Sequence, residues 1–319
     1  MGKTERQGKR GSWGNFILIA VGILILAVAA VGVIVVPRYG RVFAEYRKYS
    51  AELRESKKEL ADAQKKNTEL LAARDELQAL DAEVQSLQAE TFSYAAELEK
   101  AITNGGSNKR ICYITIDDGP YYRGRKFLEI FNKYDVKATF FLTTANGDML
   151  PDHGDISASS MYPEYLKYGH TIGNHTYSHN YGAGGIYSSA ESFMKSIRKQ
   201  DEFTEKATGG YEPVIVRFPG GTGTAGSELG GMIEGLRKEG HGWIDWTIDS
   251  SDSWGTGNTS PKIIMKQIKK AAKDQKIMVI LFHEWSENSQ KAMPQVIEYL
   301  TEQNYIFLPL FYDSMMVEK

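Results

Sequence analysis

Short apolar segments alternate with longer amphipathic segments from Lys109 to the C-terminus. Strands that are separated by helices pair in parallel, because each helix returns the chain to the same edge of the sheet. The pattern predicts one α/β domain over 109–319, either a barrel or a doubly wound sheet. The predicted strands are Ile111–Ile116, Ala138–Thr143, Thr171–Gly173, Val214–Phe218, Gly242–Ile248, Ile277–Phe282 and Tyr305–Leu308, with helices near 124–134, 159–168, 188–207, 227–239, 261–275 and 290–303.

Ionisable side chains follow the C-terminal ends of the predicted strands. Parallel α/β folds and barrels collect their active-site residues at this edge. Solvated loop charges would not prefer one end of so many strands. The sequence therefore predicts an active site there, built from Asp117, Asp118, His175, His179, Arg217, Asp249, Asp252, His283 and Glu284.

The segment HTYSH carries His175 and His179 four residues apart, which in one helical turn would place both imidazoles on the same face. Asp118 can complete an Asp-His-His set around a divalent ion. Neighbouring side chains on an extended backbone point in different directions, so Asp117 can serve as a base while Asp118 binds the metal. These ligand types favour zinc, with cobalt or nickel as alternatives. Taken alone, the segment DDG also fits an Asx turn or a helix cap.

The segment GTGTAG at 221–226 matches the dinucleotide-binding fingerprint, and Asp245 follows at about the spacing of its acidic residue. It lies late in the domain rather than in a first βαβ unit. It also leaves the Asp-His-His set unexplained. We interpret it as a flexible active-site loop, with NAD(P) binding as the alternative.

The balance of charge restricts the partners of the chain. It has 38 Lys and Arg against 40 Asp and Glu, a formal net charge of −2, so no nucleic-acid partner is expected. A single cysteine, Cys112, excludes an internal disulfide and a multi-cysteine metal site. An extracellular location remains compatible with this count, since a large core needs no disulfides.

Residues 16–36 form an uncharged apolar segment, FILIAVGILILAVAAVGVIVV. As a helix it would extend ~31 Å, enough to cross the hydrocarbon core of a bilayer. It is longer than the ~7–15 apolar residues of a signal peptide, so we predict a retained transmembrane helix rather than a cleaved segment. Residues 1–15 would then form a cytoplasmic tail, although basic residues flank the segment on both sides and do not choose its orientation.

Residues 41–101 contain neither Pro nor Gly and consist largely of good helix formers. Apolar residues recur there every seven positions, which predicts a long coiled-coil stalk that associates copies of the chain. A helical hairpin and a helix packed on the globular domain are the alternatives. Residues 102–108 are predicted to be a linker. The residues of 41–101 that keep the seven-residue spacing form two rows. The first is Leu70, Leu77, Val84, Thr91 and Leu98, and the second is Ala73, Leu80, Leu87, Tyr94 and Ala101.

Five segments, taken in order, resemble the motifs of the polysaccharide deacetylase family, the NodB-homology domain of carbohydrate esterase family 4. They are TIDDGP (115–120), HTYSH (175–179), RFPGG (217–221), DSSDSW (249–254) and ILFH (280–283). The resemblance covers 109–319 and implies a distorted (β/α) barrel that removes acetyl groups from peptidoglycan, chitin or xylan. Because the chain also resembles anchored envelope enzymes, we expect a single-pass membrane protein whose catalytic domain faces outward and acts on peptidoglycan glycan strands.

The resemblance also implies roles for individual residues. The implied metal ligands are Asp118, His175 and His179. Asp117 would be the general base, held by Arg217, and His283 the general acid. The carboxylate partner of His283 would be Asp252 or Asp249, because the family usually has Asp directly before Trp and Ser253 intervenes here.

The resemblance further implies the surroundings of the acetyl group. Trp254 and Leu281 would line a pocket for its methyl group. Gly220 stands where the family often has Tyr, and its backbone N–H would still bind the oxyanion. A catalytically silent carbohydrate-binding module of the same fold is the alternative function.

Overall fold

The computed structural model describes residues 17–24, 40–144, 158–253 and 259–319. The chain divides into two compact units between Ser86 and Leu87. Residues 17–24 are helical, whereas 1–15 and the greater part of the predicted span 16–36 lie outside the described residues. Within the described part of the chain, no helix combines the length and the apolar character needed to cross a bilayer.

Helix α1 spans Gly40–Thr103, so the helical structure predicted for 41–101 is confirmed. In the first unit its apolar residues Leu70, Leu77 and Leu80 are exposed. Exposed leucines at heptad spacing leave an apolar stripe along the helix. Self-association through this stripe stays a prediction.

The last turns of α1 belong to the second unit. Ala95, Leu98 and Ile102 are buried there in one cluster with residues of the sheet. Leu98, the last residue of its predicted row, therefore packs in the second unit, which begins at Leu87 rather than after the predicted linker at 102–108. The reason is that an apolar stripe on a helix can pack against a domain as well as against another helix.

The second unit contains, among its described residues, an eight-stranded parallel sheet with helices packed against it. Strands β1 to β8 span Arg110–Gly119, Thr139–Leu142, Thr171–Asn174, Ile215–Val216, Gly242–Trp243, Ile248–Asp249, Ile277–His283 and Tyr305–Phe307. Helices α2 to α7 span Gly124–Tyr134, Ala158–Lys167, Ala190–Thr208, Leu229–Lys238, Pro261–Ala271 and Glu287–Glu302, and two 3₁₀ helices cover Ile186–Ser188 and Thr222–Glu228.

The strand order is β5-β4-β3-β2-β1-β7-β6, with β8 paired to β1 outside this path. Among the described residues, β5 and β6 do not pair with each other, so the curled sheet is an incomplete barrel. The prediction of one strand over Gly242–Ile248 is wrong, because its two ends form β5 and β6 at opposite ends of the order. The residues between them are used instead to hold a buried arginine, Arg217, through the carbonyls of Ile244 and Asp245.

The central strand β1 is buried on both faces, and its alternation decides where the reactive groups lie. Cys112, Ile114 and Ile116 pack in the cluster that contains α2 and α7. Ile111 and Tyr113 pack on the opposite face, in the cluster that contains the end of α1. Thr115 and Asp117 follow at the same two-residue spacing as Tyr113, which places Asp117 on the inner face of the half-barrel.

Candidate active site

The two aspartates at the end of β1 are separated by an irregularity in the strand. The register between β1 and β2 shifts between Asp117 and Gly119, and Asp118 has a φ of 68°. A non-glycine residue in the left-handed region is uncommon and turns its side chain out of the regular alternation. Asp117 keeps its place opposite His283 of β7. The two carboxylates therefore serve different neighbours, as the sequence predicts.

Asp118, His175 and His179 come together as one cluster. Their potential ligand atoms all lie within 4.8 Å of one another, and Asp118 Oδ1 is 3.4 Å from His175 Nε2 and 3.1 Å from His179 Nε2. The predicted helical turn at 175–179 is wrong, since the segment is an irregular loop after β3 in which Thr176 and His179 have positive φ. The loop brings the rings to 4.8 Å between centroids.

The donor groups of this cluster suit a cation. The His175 Nδ1 lies 2.8 Å from the Arg217 carbonyl oxygen, so a neutral ring donates from Nδ1 and leaves a lone pair on Nε2. Asp118 Oδ1 is buried and accepts no hydrogen bond from any described residue. A carboxylate oxygen that faces imidazole lone pairs without an intervening proton is the arrangement that a divalent ion completes.

The charge states of the cluster fit the same role. Burial favours the neutral acid of Asp118, but the adjacent imidazoles, His175 foremost, outweigh it and hold the pKa well below the ordinary value. Burial and the neighbouring His175 lower the pKa of His179 to about 4. At neutral pH the cluster therefore offers an ionised carboxylate and a neutral imidazole, the forms in which these side chains bind metals.

Arg217 holds Asp117 in a fully buried network. Its Nη1 donates to Asp117 Oδ1 at 3.1 Å and to Thr115 Oγ1 at 2.6 Å, and its guanidinium lies over the ring of Phe141 at 4.3 Å. The guanidinium also donates to the carbonyls of Ile244 and Asp245, as described above. Burial raises the pKa of Asp117, while the positive charge of Arg217 opposes that rise. The Asp117 carboxylate is thus oriented with Oδ2 3.8 Å from His175 Nε2.

The structure distinguishes the two candidate partners of His283. Asp252 Oδ1 lies 2.7 Å from His283 Nδ1, and its Oδ2 accepts from the His283 backbone N–H at 2.8 Å and from Ser289 Oγ at 2.5 Å. Asp249 instead accepts from the Ser251 N–H at 2.6 Å. Burial alone would lower the pKa of His283, but the hydrogen bond and charge of Asp252 raise it to about 9.

The remaining predicted residues are placed as follows. Leu281 is buried in β7, and Trp254 lies outside the described residues. Gly220 has a φ of 73°, and a Cβ there would lie 2.9 Å from Thr224 Cγ2, so the position favours glycine. An aromatic ring is nevertheless present nearby, because that Cβ would also lie 3.6 Å from Cζ of Tyr181.

The glycine-rich segment 221–226 forms most of the 3₁₀ helix Thr222–Glu228 rather than a loop without regular structure. Asp245 binds its start, accepting from the Thr222 N–H at 3.1 Å and from Thr222 Oγ1 at 2.5 Å. A dinucleotide-binding motif would use that N–H for phosphate and that carboxylate for ribose. Here the two groups bind each other, which argues against the nucleotide interpretation.

Two residues that follow His283 also contact the site. Glu284 is predicted at this edge of the sheet without a specific role, and Trp285 is not predicted. Trp285 Nε1 donates to Asp118 Oδ2 at 2.9 Å. Glu284 is fully buried and accepts from the Tyr121 N–H at 2.7 Å and from Tyr165 Oη at 2.9 Å, and burial raises its pKa to about 8. Their position directly after ILFH was the available signal, but the contacts depend on the fold.

Comparison with known proteins agrees with this geometry. The polysaccharide deacetylase family matches residues 104–229. A peptidoglycan-N-acetylglucosamine deacetylase from Bacillus cereus is 30% identical over 211 residues, which cover 63% of this chain and 70% of that protein. A peptidoglycan-N-acetylmuramic acid deacetylase from Bacillus subtilis is 29% identical over 204 residues, which cover 62% of this chain and 37% of that protein.

Among solved structures, the catalytic domain of a peptidoglycan N-acetylglucosamine deacetylase from Eubacterium rectale has a similar fold, with a TM-score of 0.59 and 28% identity. The similarity covers 66% of this chain and 93% of that structure. The family match covers β1 to β4 and with them Asp117, Asp118, His175, His179 and Arg217. The chain therefore belongs to the polysaccharide deacetylase family, carbohydrate esterase family 4, whose members are hydrolases acting on N-acetyl amide bonds.

Proposed function

We propose that this chain is a metal-dependent hydrolase that removes the acetyl group from N-acetylglucosamine residues of peptidoglycan. The observation that carries the proposal is the arrangement of two proton-transfer pairs around one cation-binding cluster. Asp117 with Arg217 lies beside the cluster, and His283 is paired with Asp252 on the adjacent strand. Amide hydrolysis needs a base for the attacking water and an acid for the departing amine.

The metal would be held by Asp118, His175 and His179. Two imidazoles and one carboxylate form the ligand set of many catalytic zinc sites, and cobalt or nickel suit the same groups. When bound, such an ion lowers the pKa of a bound water and polarises the substrate carbonyl. The buried oxygen of Asp118 that accepts no hydrogen bond from any described residue supports this assignment.

Asp117 is proposed to accept the proton of the attacking water. Its carboxylate cannot rotate freely, because Arg217 Nη1 holds Oδ1 at 3.1 Å. The other oxygen, Oδ2, lies on the side of the Asp118, His175 and His179 cluster, 3.8 Å from His175 Nε2. A water that binds at the cluster is therefore within reach of a base whose direction is already set.

His283 is proposed to protonate the sugar nitrogen as the carbon–nitrogen bond breaks, so that acetate and a free amine leave. An amine is a poor leaving group without this proton. Because Asp252 raises the pKa of His283 to about 9, the imidazole carries the required proton at neutral pH. Asp252 binds Nδ1 and so leaves Nε2 for the substrate.

The acetyl group would lie against Leu281 and Trp254, with its oxygen near the backbone N–H of Gly220. Elsewhere, removing one such oxyanion donor costs about 3–4 kcal/mol of transition-state stabilisation. Gly220 is exposed, which makes its backbone accessible to the substrate. The exposed ring of Tyr181 beside it is suited to contact the sugar in place of the tyrosine that this position lacks.

Peptidoglycan is favoured as the substrate because the similar proteins from Bacillus cereus and Eubacterium rectale are named as peptidoglycan N-acetylglucosamine deacetylases. We further propose that residues 16–36 anchor the chain in the cell membrane with the catalytic unit outside the cell. The part of α1 in the first unit, residues 40–86, would then separate the bilayer from the catalytic unit along the chain, and corresponds to ~70 Å of helix. Chitin oligomers and acetylated xylan are the competing substrates.

The test is acetate release by the full chain from purified glycan strands, chitooligosaccharides and acetylated xylan. We expect release from glycan strands, loss of release after chelation, and recovery with added zinc. Asp117→Asn is the blank, since it keeps the size of the side chain and removes the base. Activity confined to xylan would contradict the substrate assignment alone. Activity that survives complete metal removal would contradict the hydrolytic mechanism, and no acetate from any substrate would favour the silent carbohydrate-binding module.

A further inference from the structure

Trp285 lies at the rim of the candidate active site, two residues after His283 at the end of β7. The residue is 37% exposed, so part of its large ring is accessible at the rim. Its backbone is held at the start of α7, because the next residue, Ser286, caps that helix by accepting from the Ser289 N–H. A single exposed ring is ordinary on a protein surface, so a role for Trp285 has to be argued from its contacts with the site.

The hydrogen bond from the indole N–H of Trp285 gives the two Asp118 oxygens different surroundings. It donates to Oδ2 at 2.9 Å. Oδ1 faces the imidazoles of His175 and His179 and accepts no hydrogen bond from the described residues. A donor fixed on one oxygen sets the plane of the carboxylate and presents the other oxygen to the cation. Phenylalanine could fill the same space but could not make this bond.

The ring of Trp285 also lies beside the proposed proton donor. Its centroid is 5.1 Å from that of His283, with an angle of 34° between the two planes. Any sugar whose nitrogen reaches His283 must therefore pass close to the exposed indole. The C–H face of a pyranose is apolar and packs well on such a ring, while the polar N–H edge stays engaged with Asp118.

We propose that Trp285 is a positioning residue for Asp118 and that the exposed face of the same ring binds the substrate sugar next to His283. The sugar contact rests on the proposed function, whereas the link to Asp118 does not. One side chain thus joins the orientation of a metal ligand to the placement of the sugar. Tyr181 provides the contrast, since its exposed ring lies 5.5 Å from that of His179 but donates no hydrogen bond to a ligand among the described contacts.

The test uses the full chain with Trp285→Phe, Trp285→Leu and Tyr181→Leu. The first readout is the dissociation constant of zinc, measured by competition with a chromogenic chelator. Loss of an outer hydrogen bond to a metal ligand typically weakens binding about 10- to 100-fold, and we expect this for both Trp285 variants. Tyr181→Leu removes a ring beside His179 without removing a hydrogen bond to a ligand, so it should weaken zinc binding less than either Trp285 variant. Equal zinc affinity in Trp285→Phe and the unaltered chain, with both folded by circular dichroism, overturns the positioning role.

The second readout is the binding of a chitooligosaccharide to the zinc-loaded Asp117→Asn chain, which requires no turnover. Trp285→Leu on that background should weaken binding roughly 3- to 10-fold, the range expected for loss of one aromatic contact, while Trp285→Phe should keep most of the affinity. Unchanged binding in the Leu variant overturns the sugar contact. If the unaltered chain binds zinc but releases no acetate, the proposed function fails while the zinc comparison still decides the role of Trp285.

Discussion

Replacing Glu99 should destabilise the catalytic unit, although this residue lies in the helix that precedes the sheet. Its carboxylate is fully buried. Oε1 accepts from Tyr113 Oη at 2.7 Å and from Ser314 Oγ at 2.6 Å, and Oε2 accepts from the Met315 N–H at 2.9 Å. One side chain therefore ties the end of α1 to the central strand and to the C-terminal segment.

The size of the effect follows from the three donors. A buried polar group left without a partner costs about 1–3 kcal/mol, with some recovery by relaxation. We expect Glu99→Ala to lower the free energy of unfolding by about 3–4 kcal/mol. Glu99→Gln should cost about 1–3 kcal/mol, because its amide oxygen can replace Oε1 but its NH₂ group cannot accept from the Met315 N–H.

The assay is urea denaturation of the full chain, followed by tryptophan fluorescence. Glu97→Ala is the matched control, since Glu97 is exposed on the same helix and should change stability by less than about 0.5 kcal/mol. A double-mutant cycle of Glu99→Gln with Tyr113→Phe isolates the bond between the two side chains. If Glu99→Ala is as stable as Glu97→Ala, the end of α1 is not an integral part of the catalytic unit and the reasoning fails.

Three further predictions concern pH and assembly. The pKa of Glu284 is raised to about 8 in the folded chain. Between about pH 4.5 and 8 the folded chain keeps the proton of this carboxyl group while the unfolded chain releases it, so the contribution of Glu284 to the free energy of unfolding falls over this range. The stability of Glu284→Gln relative to the unaltered chain should therefore increase over pH 5 to 8 in urea titrations, and a pH-independent difference would refute this. Asp252→Asn should move the alkaline limb of the kcat/KM profile at least ~1 pH unit toward neutrality, because only the charges of Asp118 and Asp117 then oppose the lowering of the His283 pKa by burial. The control Asp249→Asn should leave the limb in place. In sedimentation, a fragment of residues 39–319 should self-associate through the exposed leucines of α1, whereas a fragment of residues 87–319 should stay monomeric. If both fragments sediment as monomers at micromolar concentration, the coiled coil is excluded.

The α/β class and the edge of the sheet that carries the candidate site could be predicted because both depend on local pattern. The alternation of apolar and amphipathic segments reports burial directly, and the residues that end parallel strands must share one edge of the sheet. This holds for Asp117 and His283, which follow different strands in the sequence and lie opposite each other in the register of β1 and β7.

Other features depended on the distances between segments that are remote in sequence. The spacing around Trp254 favours Asp252 but leaves Asp249 as an alternative, and only the turn after β6 brings Asp252 to His283. The segment Gly242–Ile248 is predicted as one strand because its apolar residues have the pattern of a buried strand. The same burial results when the middle of the segment leaves the sheet and the Ile244 carbonyl accepts a hydrogen bond from Arg217.

The heptad pattern of α1 shows most clearly that local sequence does not determine the packing partner of a helix. Leu77 and Leu98 belong to the same row and have the same apolar character, yet Leu77 is exposed and Leu98 packs in the core of the catalytic unit. An apolar stripe predicts that one face of the helix is buried, but it does not predict which surface covers that face. The helix itself followed from composition and periodicity. Its partner was decided by the shape of the sheet and by the donors of Tyr113, Ser314 and Met315, which converge on Glu99 only in the folded chain.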